Sequence, residues 1–338
     1  MKNKRVCIGL LPLLALASCG GSNRSFDLFL YDGSDTFITS LKGAILSNFG
    51  ANTPSYSYYD AARSQTTQNK QIITSLESGN KLLLVNLVDR LAASAIVEKA
   101  DASKASIIFF NREPLAGDIA GHSNMFYVGS NASQAGKLQA SLAEQLFHLD
   151  TLKAKTCVYD RNGDGVIQIA IIKGEEGHQD TELRTKWCTQ QLKDDGYNIS
   201  ILTTETGNWT TDGGYKAMQS IASTYYDGTD TSKSNVELVF CNNDDMASGA
   251  VKYLEEQKIL KTNSTYDQQP IQLIGVDGTT TGKALIQDGL MYGTVLNDAS
   301  TQAKDIYNLA IAIMSNQVIT SFSQFDYVDG KLITKALL

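Results

Sequence analysis

Ile167-Gln168-Ile169-Ala170-Ile171-Ile172-Lys173 runs directly into Gly174-Glu175-Glu176-Gly177-His178-Gln179-Asp180, and an amphipathic segment follows from Asp180 to Lys193. The first seven residues form an apolar run of strand length, and the glycines after them mark a turn. A strand of this kind that gives way to a helix is the unit of a parallel sheet with helices on both faces. The same alternation fills the chain. Strands are expected at Phe26–Tyr31, Ser55–Tyr59, Lys81–Val88, Ser106–Phe110, Met125–Val128, Asn198–Thr203, Glu237–Cys241, Gln272–Val276 and Gly293–Leu296. Helical spacing is found at Ser34–Phe49, Ala93–Ala100, Met246–Gln257 and Thr301–Ser315. The expected fold class is therefore α/β. At 338 residues the chain exceeds what one hydrophobic core usually serves, so two domains are expected.

Parallel sheets place ligands at the carboxyl ends of their strands. The residues found there are polar: Asp35, Asn111, His178 with Asp180, Asn243 with Asp244, Asp277 and Asn297. Carboxylates accept hydrogen bonds while amides both donate and accept, so such a set suits hydroxyl groups held in fixed orientation. Any one of them equally suits a helix N-cap, but caps explain the recurrence at so many strand ends less well.

Composition narrows the function. The formal charge is −7, with no block of basic residues, which argues against nucleic-acid binding. There is no nucleophile elbow, phosphate-binding loop, HExxH motif or GxGxxG motif, so the chain is read as a binder and not an enzyme. Residues 1–18 read as a signal peptide, with Lys2, Lys4 and Arg5 ahead of an apolar run from Val6 to Ala17. Leu16-Ala17-Ser18-Cys19 resembles a bacterial lipobox, which makes Cys19 the expected lipidation site and 19–25 a lipidated tether. An ordinary secretory peptide is the alternative. The expected location is extracytoplasmic, lipid-anchored to the bacterial membrane, in the periplasm or at the cell surface. Cys157, Cys188 and Cys241 remain after processing, an odd number without CxxC; they are read as buried thiols, with one disulfide as the alternative.

Asp160-Arg161-Asn162-Gly163-Asp164-Gly165-Val166-Ile167-Gln168 carries oxygen side chains at the first, third and fifth positions, glycine at the sixth and Gln168 at the ninth. This is the opening of a calcium-binding loop, in which Val166 offers a backbone carbonyl. The twelfth position is Ile171, so the bidentate acid must come from elsewhere. A metal-free turn is the alternative.

Several stretches together resemble the periplasmic galactose/glucose-binding proteins of bacterial ABC transporters. They are Phe109-Phe110-Asn111-Arg112-Glu113-Pro114, Tyr127-Val128-Gly129, Lys173 to Asp180 with Arg184, Asn242-Asn243-Asp244, Gly275-Val276-Asp277 and Gly293 to Ala299. The resemblance spans nearly all of residues 26–335. It implies a type I periplasmic binding protein: two Rossmann-like domains with parallel sheets joined by a three-segment hinge. The N-terminal domain would be 24–130 plus 298–331, and the C-terminal domain 131–297 plus 332–338. By the same resemblance, Asp35, Asn111, His178, Asp180, Arg184, Asn243, Asp277 and Asn297 would hydrogen-bond a hexose. Phe37 and Trp209 would sandwich its ring. Glu237 would complete a structural Ca2+ site with Asp160, Asn162, Asp164, Val166 and Gln168. The implied partners are glucose or galactose and an ABC permease in the membrane, with a monomeric receptor. A sensory receptor that presents hexose to a chemoreceptor or histidine kinase remains an alternative, and a glycoside hydrolase on the same fold is a further one.

Overall fold

A computed structural model describes residues 25–50, 54–228, 235–261, 265–317, 319 and 322–338. The signal peptide, Cys19 and most of the tether lie outside the described residues. The twelve strands are β1 (Ser25–Leu30), β2 (Ser55–Asp60), β3 (Leu82–Val85), β4 (Ser106–Phe110), β5 (Met125–Ser130), β6 (Ile167–Lys173), β7 (Ile199–Thr206), β8 (Leu238–Cys241), β9 (Gln272–Asp277), β10 (Gly293–Leu296), β11 (Phe325–Val328) and β12 (Lys331–Thr334). The α-helices are α1 (Thr36–Phe49), α2 (Gln65–Glu77), α3 (Ala93–Ala102), α4 (Ala116–Ile119), α5 (Ala132–Leu146), α6 (Leu149–Lys153), α7 (Gln179–Asp194), α8 (Thr211–Tyr225), α9 (Asp244–Glu256), α10 (Thr280–Gln287) and α11 (Ala299–Met314).

Two six-stranded sheets result, ordered β11-β5-β4-β3-β1-β2 and β12-β10-β9-β8-β6-β7. Every pairing is parallel except β10 with β12. The chain passes between the sheets after β5, after β10 and between β11 and β12, so three connections join the two halves. This is the type I periplasmic-binding-protein arrangement expected from the sequence.

The strand alternation sorts each core into two layers. In the first sheet Phe26, Leu28, Leu30, Leu84, Ile108 and Phe110 pack on α1 and α11. Their neighbours Phe29, Leu83, Val85, Ile107 and Phe109 pack on the opposite face with Ile72 of α2 and Ile96 and Val97 of α3. In β6, Ile167, Ile169 and Ile171 face α5 and α7, while Ala170 and Ile172 face α8 and α9. Successive side chains of a strand point to opposite faces, which is why these runs show no polar alternation. The edge strand β2 is the exception and is almost wholly exposed. Between α8 and α9 the backbones come so close that a Cβ on Gly249 would sit 1.9 Å from the Thr211 carbonyl oxygen, so only glycine fits there.

Some boundaries differ from the sequence expectation. The third strand stops at Val85, because Asn86 turns its buried side chain to the ends of its neighbours and receives a hydrogen bond from Tyr31 N. Helix α9 begins at Asp244, two residues before the expected start, because the Asn243 side chain accepts from Met246 N and caps it. Cys157, Cys188 and Cys241 are buried and unpaired. Among the described residues, no helix is long and apolar enough to cross a membrane.

Candidate functional site

The strands of both sheets end at one cleft. It is lined by Tyr31, Asp35, Phe37, Ile38, Asn111 and Arg112 from the first half, and by His178, Asp180, Arg184, Trp209, Asn243, Asp277 and Asn297 from the second half and the β10 connection. All ten residues expected to form a hexose pocket stand together there. The space between them, counted with the solvent at its mouth, is about 340 Å³. Tyr31, Ile38 and Arg112 are wall residues that the sequence reading did not assign.

Several of the strand-end polar groups are helix N-caps and line the cleft as well. Asp35 Oδ1 accepts from Ile38 N at 2.9 Å and caps α1, while Oδ2 accepts from Tyr31 Oη at 2.5 Å. Burial, with the Asp35 carboxylate next, pushes the Tyr31 phenol far up, so it stays a donor. His178 caps α7 by accepting from Asp180 N through Nδ1 at 3.1 Å. A ring nitrogen that accepts carries no proton, so the neutral imidazole keeps its hydrogen on Nε2. Burial and the nearby Arg112 and Arg184 hold its pKa well below the usual histidine range, which keeps the ring neutral.

The backbone is turned to present these groups. Asn111, Trp209 and Asp277 all have positive φ, at 60°, 65° and 116°. Such conformations cost free energy in residues with a side chain, persist only where surroundings impose them, and concentrate at functional sites. Asn111 is held by Asn86, which donates from Nδ2 to its Oδ1 at 3.1 Å. Trp209 lies against Gly174, where an added Cβ would come within 2.1 Å of the indole. His178 meets the same indole edge-on, with ring centroids 5.1 Å apart.

The second wall is a dense charged network. Arg184 donates to Asp180 Oδ2 at 2.6 Å and to the Asn242 carbonyl at 2.8 Å, and stands 3.9 Å from Asp277 Oδ1. The i, i+4 spacing on α7 aligns Arg184 with Asp180. Burial raises the pKa of both Asp180 and Asp277, against the lowering effect of Arg184. Both carboxylates have partners: Asp180 Oδ1 accepts from Gln179 Nε2 at 2.9 Å, and Asp277 Oδ1 accepts from Asn297 Nδ2 at 3.2 Å. On this wall Arg184 Nε and Trp209 Nε1 are buried without partners. Unspent donors beside carboxylates that retain accepting capacity suit a ligand rich in hydroxyls, which both accept and donate. Asp244, although it follows a strand in the same way, takes no part. It is fully buried and accepts from Thr294 Oγ1, Thr279 N and Thr279 Oγ1, tying the start of α9 to α10 and β10.

The acidic loop after α6 lies at the far end of the second sheet, beside the start of β6. Asp160 accepts from Asp164 N and Gly165 N, Asn162 Oδ1 accepts from Asp164 N, and Asp164 Oδ1 accepts from Val166 N. Glu237, distant in sequence, reaches the loop and accepts from Arg161 N at 2.5 Å and Gln168 N at 3.1 Å. Among the described residues no group of three or more His, Cys, Asp or Glu side chains is gathered as a metal centre. The donor set here is mixed, with two amides and a backbone carbonyl beside the acids. Two observations fit it to a hard cation. Gln168 Oε1 is buried without a partner. Burial, with Asp160 and Asp164 nearby, pushes the Glu237 carboxyl up to about 8, and the Arg161 guanidinium is turned away to the Gln269 carbonyl.

Comparisons with known proteins agree with this architecture. Residues 26–317 match the periplasmic binding protein domain family. The chain is 32% identical over 272 residues to the D-galactose/methyl-galactoside binding periplasmic protein of Haemophilus influenzae, covering 80% of this chain and 75% of that one. Among solved structures it resembles an ABC transporter periplasmic solute binding protein from Actinobacillus succinogenes with bound D-allose, at 17% identity and a TM-score of 0.76 over 93% of this chain and 98% of that one. It also resembles an ABC transporter solute binding protein from Bacillus halodurans with bound myo-inositol, at 22% identity and a TM-score of 0.75 over 93% and 95% of the two chains. With this match across most of its length, and with the two sheets and cleft described above, the chain belongs to the periplasmic binding protein domain family.

Proposed function

We propose that this chain is the extracytoplasmic receptor of an ABC transporter, taking D-glucose or D-galactose into the cleft and presenting it to a membrane permease. Family membership places the chain outside the cytoplasm. The observation that carries the sugar reading is the cleft itself: carboxylates and amides from both halves face one small space flanked by Phe37 and Trp209. A pyranose presents apolar C–H faces to aromatic rings and a rim of hydroxyls to polar groups. The similarity to a galactose-binding relative favours a hexose over a pentose or an inositol. Contacts made from both halves at once favour the closed form, and that difference in affinity drives closure. Cys19 as a lipid anchor fits the same role, since it would keep the receptor beside its permease.

A calcium ion held by Asp160, Asn162, Asp164, the Val166 carbonyl, Gln168 and Glu237 completes the reading. It would bind the loop to the start of β8 and neutralise the packed carboxylates.

Titration calorimetry with glucose, galactose, ribose and myo-inositol tests the ligand. Tightest binding of a hexose is expected, and tightest binding of ribose or myo-inositol would overturn the assignment.

A further inference from the structure

Arg112 is a cationic side chain at the rim of the cleft, yet only 4% of it is exposed. Three contacts hold it. Its guanidinium lies 3.7 Å over the Tyr31 ring, Nη1 donates to the Val88 carbonyl at 2.5 Å, and Nη2 donates to Glu175 Oε2 at 2.8 Å. The first two belong to the first half of the molecule. The third crosses to the Gly174–Gly177 loop of the second half. Among the described residues it is the one ion pair that spans the cleft itself, and beside it Gln179 Nε2 donates to the Asn111 carbonyl at 3.0 Å. Arg112 and His178 line both the inner cleft and an outer cavity bounded by Val88, Arg90 and Glu175, so the pair stands at the partition between the site and its mouth.

The two partners are unequally fixed. Tyr31 and Val88 belong to the same half as Arg112, so their contacts with the guanidinium do not cross the cleft. Glu175, 39% exposed, rides on the loop that leads into His178 and the first turn of α7, which holds Asp180. When the halves separate, Arg112 keeps two contacts and loses only this one.

We propose that Arg112 and Glu175 form a clasp that holds the cleft shut without reading the sugar. The proposal rests on the cleft being a sugar site. A clasp of this kind adds to the stability of the closed state by the same amount whatever lies inside, so it scales the affinity for every ligand equally. Because one partner is partly exposed, its contribution is modest and is screened by salt.

Glu175→Gln keeps the size of the side chain and removes its charge, and Arg112→Lys keeps the charge but loses the planar fork and the stacking. Calorimetry on the full chain with glucose and galactose should show both dissociation constants raised by roughly 3- to 10-fold in Glu175→Gln, with their ratio unchanged. Wild-type affinity should fall between about 50 mM and about 500 mM NaCl, while that of Glu175→Gln should stay flat. Small-angle scattering without sugar should show a more open ensemble in both variants. A loss that differs between the sugars by more than about threefold would mean that Glu175 reads the ligand, and would overturn the clasp. So would unchanged affinity together with unchanged scattering. If wild type binds no sugar at all, the functional reading fails, and the sugar-free scattering still decides the clasp. An unchanged melting temperature in Glu175→Gln shows that the fold is intact.

Discussion

The two walls of the cleft are built differently. The first supplies Asp35, Phe37 and Asn111, all partly exposed, in front of the buried Tyr31, Ile38 and Arg112. The second supplies His178, Asp180, Arg184, Trp209, Asn243 and Asp277, each of which is 8% exposed or less. On the first wall the carboxylate, Asp35, is a helix cap with a tyrosine partner, and the guanidinium, Arg112, pairs across the cleft with Glu175. On the second, a guanidinium and two carboxylates share one buried network. A buried network can be fixed in advance only if its members satisfy one another, and here Arg184 serves Asp180 and stands by Asp277. The second wall's polar groups are held by one another, which suits it to act as a template, while the first wall's exposed groups suit it to act as a cover.

This contrast has measurable consequences. The largest effect is expected from Asp180→Ala, which takes from the buried Arg184 its close carboxylate and leaves only Asp277 at 3.9 Å; breaking a buried pair costs about 3–5 kcal/mol. Calorimetry should show sugar affinity falling by at least about 100-fold. Asp35→Ala on the cover should weaken binding by roughly 10-fold and lower stability by about 1 kcal/mol through the lost N-cap. Equal losses from the two carboxylates would break the distinction between template and cover.

A smaller effect separates the aromatic faces. Trp209 is buried against Gly174 and His178, whereas Phe37 is half-buried at the start of α1. Trp209→Ala should cost about 2–3 kcal/mol of binding, and Phe37→Ala about 1 kcal/mol. Quenching or shift of tryptophan fluorescence on sugar addition should vanish in Trp209→Ala and persist in Phe37→Ala.

The smallest effect on sugar binding is expected at the acidic loop, where the consequence is thermal stability instead. Without metal, burial raises the Glu237 carboxyl to about 8. Between the ordinary glutamate range near 4.5 and about 8, the folded chain retains a proton that the unfolded chain has lost. Stability of the chelated protein should therefore fall as pH rises through this window and level off above about 8. With calcium bound the carboxylate is already ionised, so the dependence should flatten. Thermal melts at pH 6 and pH 8.5, with calcium and with chelator, check this, and a chelator-independent melting temperature at both would count against the ion.

The unevenness of the two walls was only partly legible in the sequence. Asp35, Asn111, His178, Asp180, Asn243, Asp277 and Asn297 could be located because each follows a strand, and parallel topology sends strand ends to one place. Arg184, Phe37 and Trp209 carry no such signal, since a lone arginine on a helix and a lone aromatic in a turn have commoner uses. They were reached through the family resemblance. Arg112 and Tyr31 escaped altogether: Tyr31 reads as the last residue of a strand, and the role of Arg112 depends on Glu175, 63 residues away. Asp244 shows the converse, a strand-end carboxylate that the fold uses as an internal tie.

By itself, the sequence determined the alternation of strand and helix, the polar character of the strand ends and the oxygen-rich spacing of the loop at 160–168. These are local properties, set by side-chain periodicity and by the turn chemistry of single segments. Tertiary structure decided which of those groups share a cleft, which are spent on caps or core ties, and that Glu237 reaches the acidic loop. It also decided the inequality of the two walls, because burial and hydrogen-bond satisfaction are properties of neighbours brought together from distant parts of the chain.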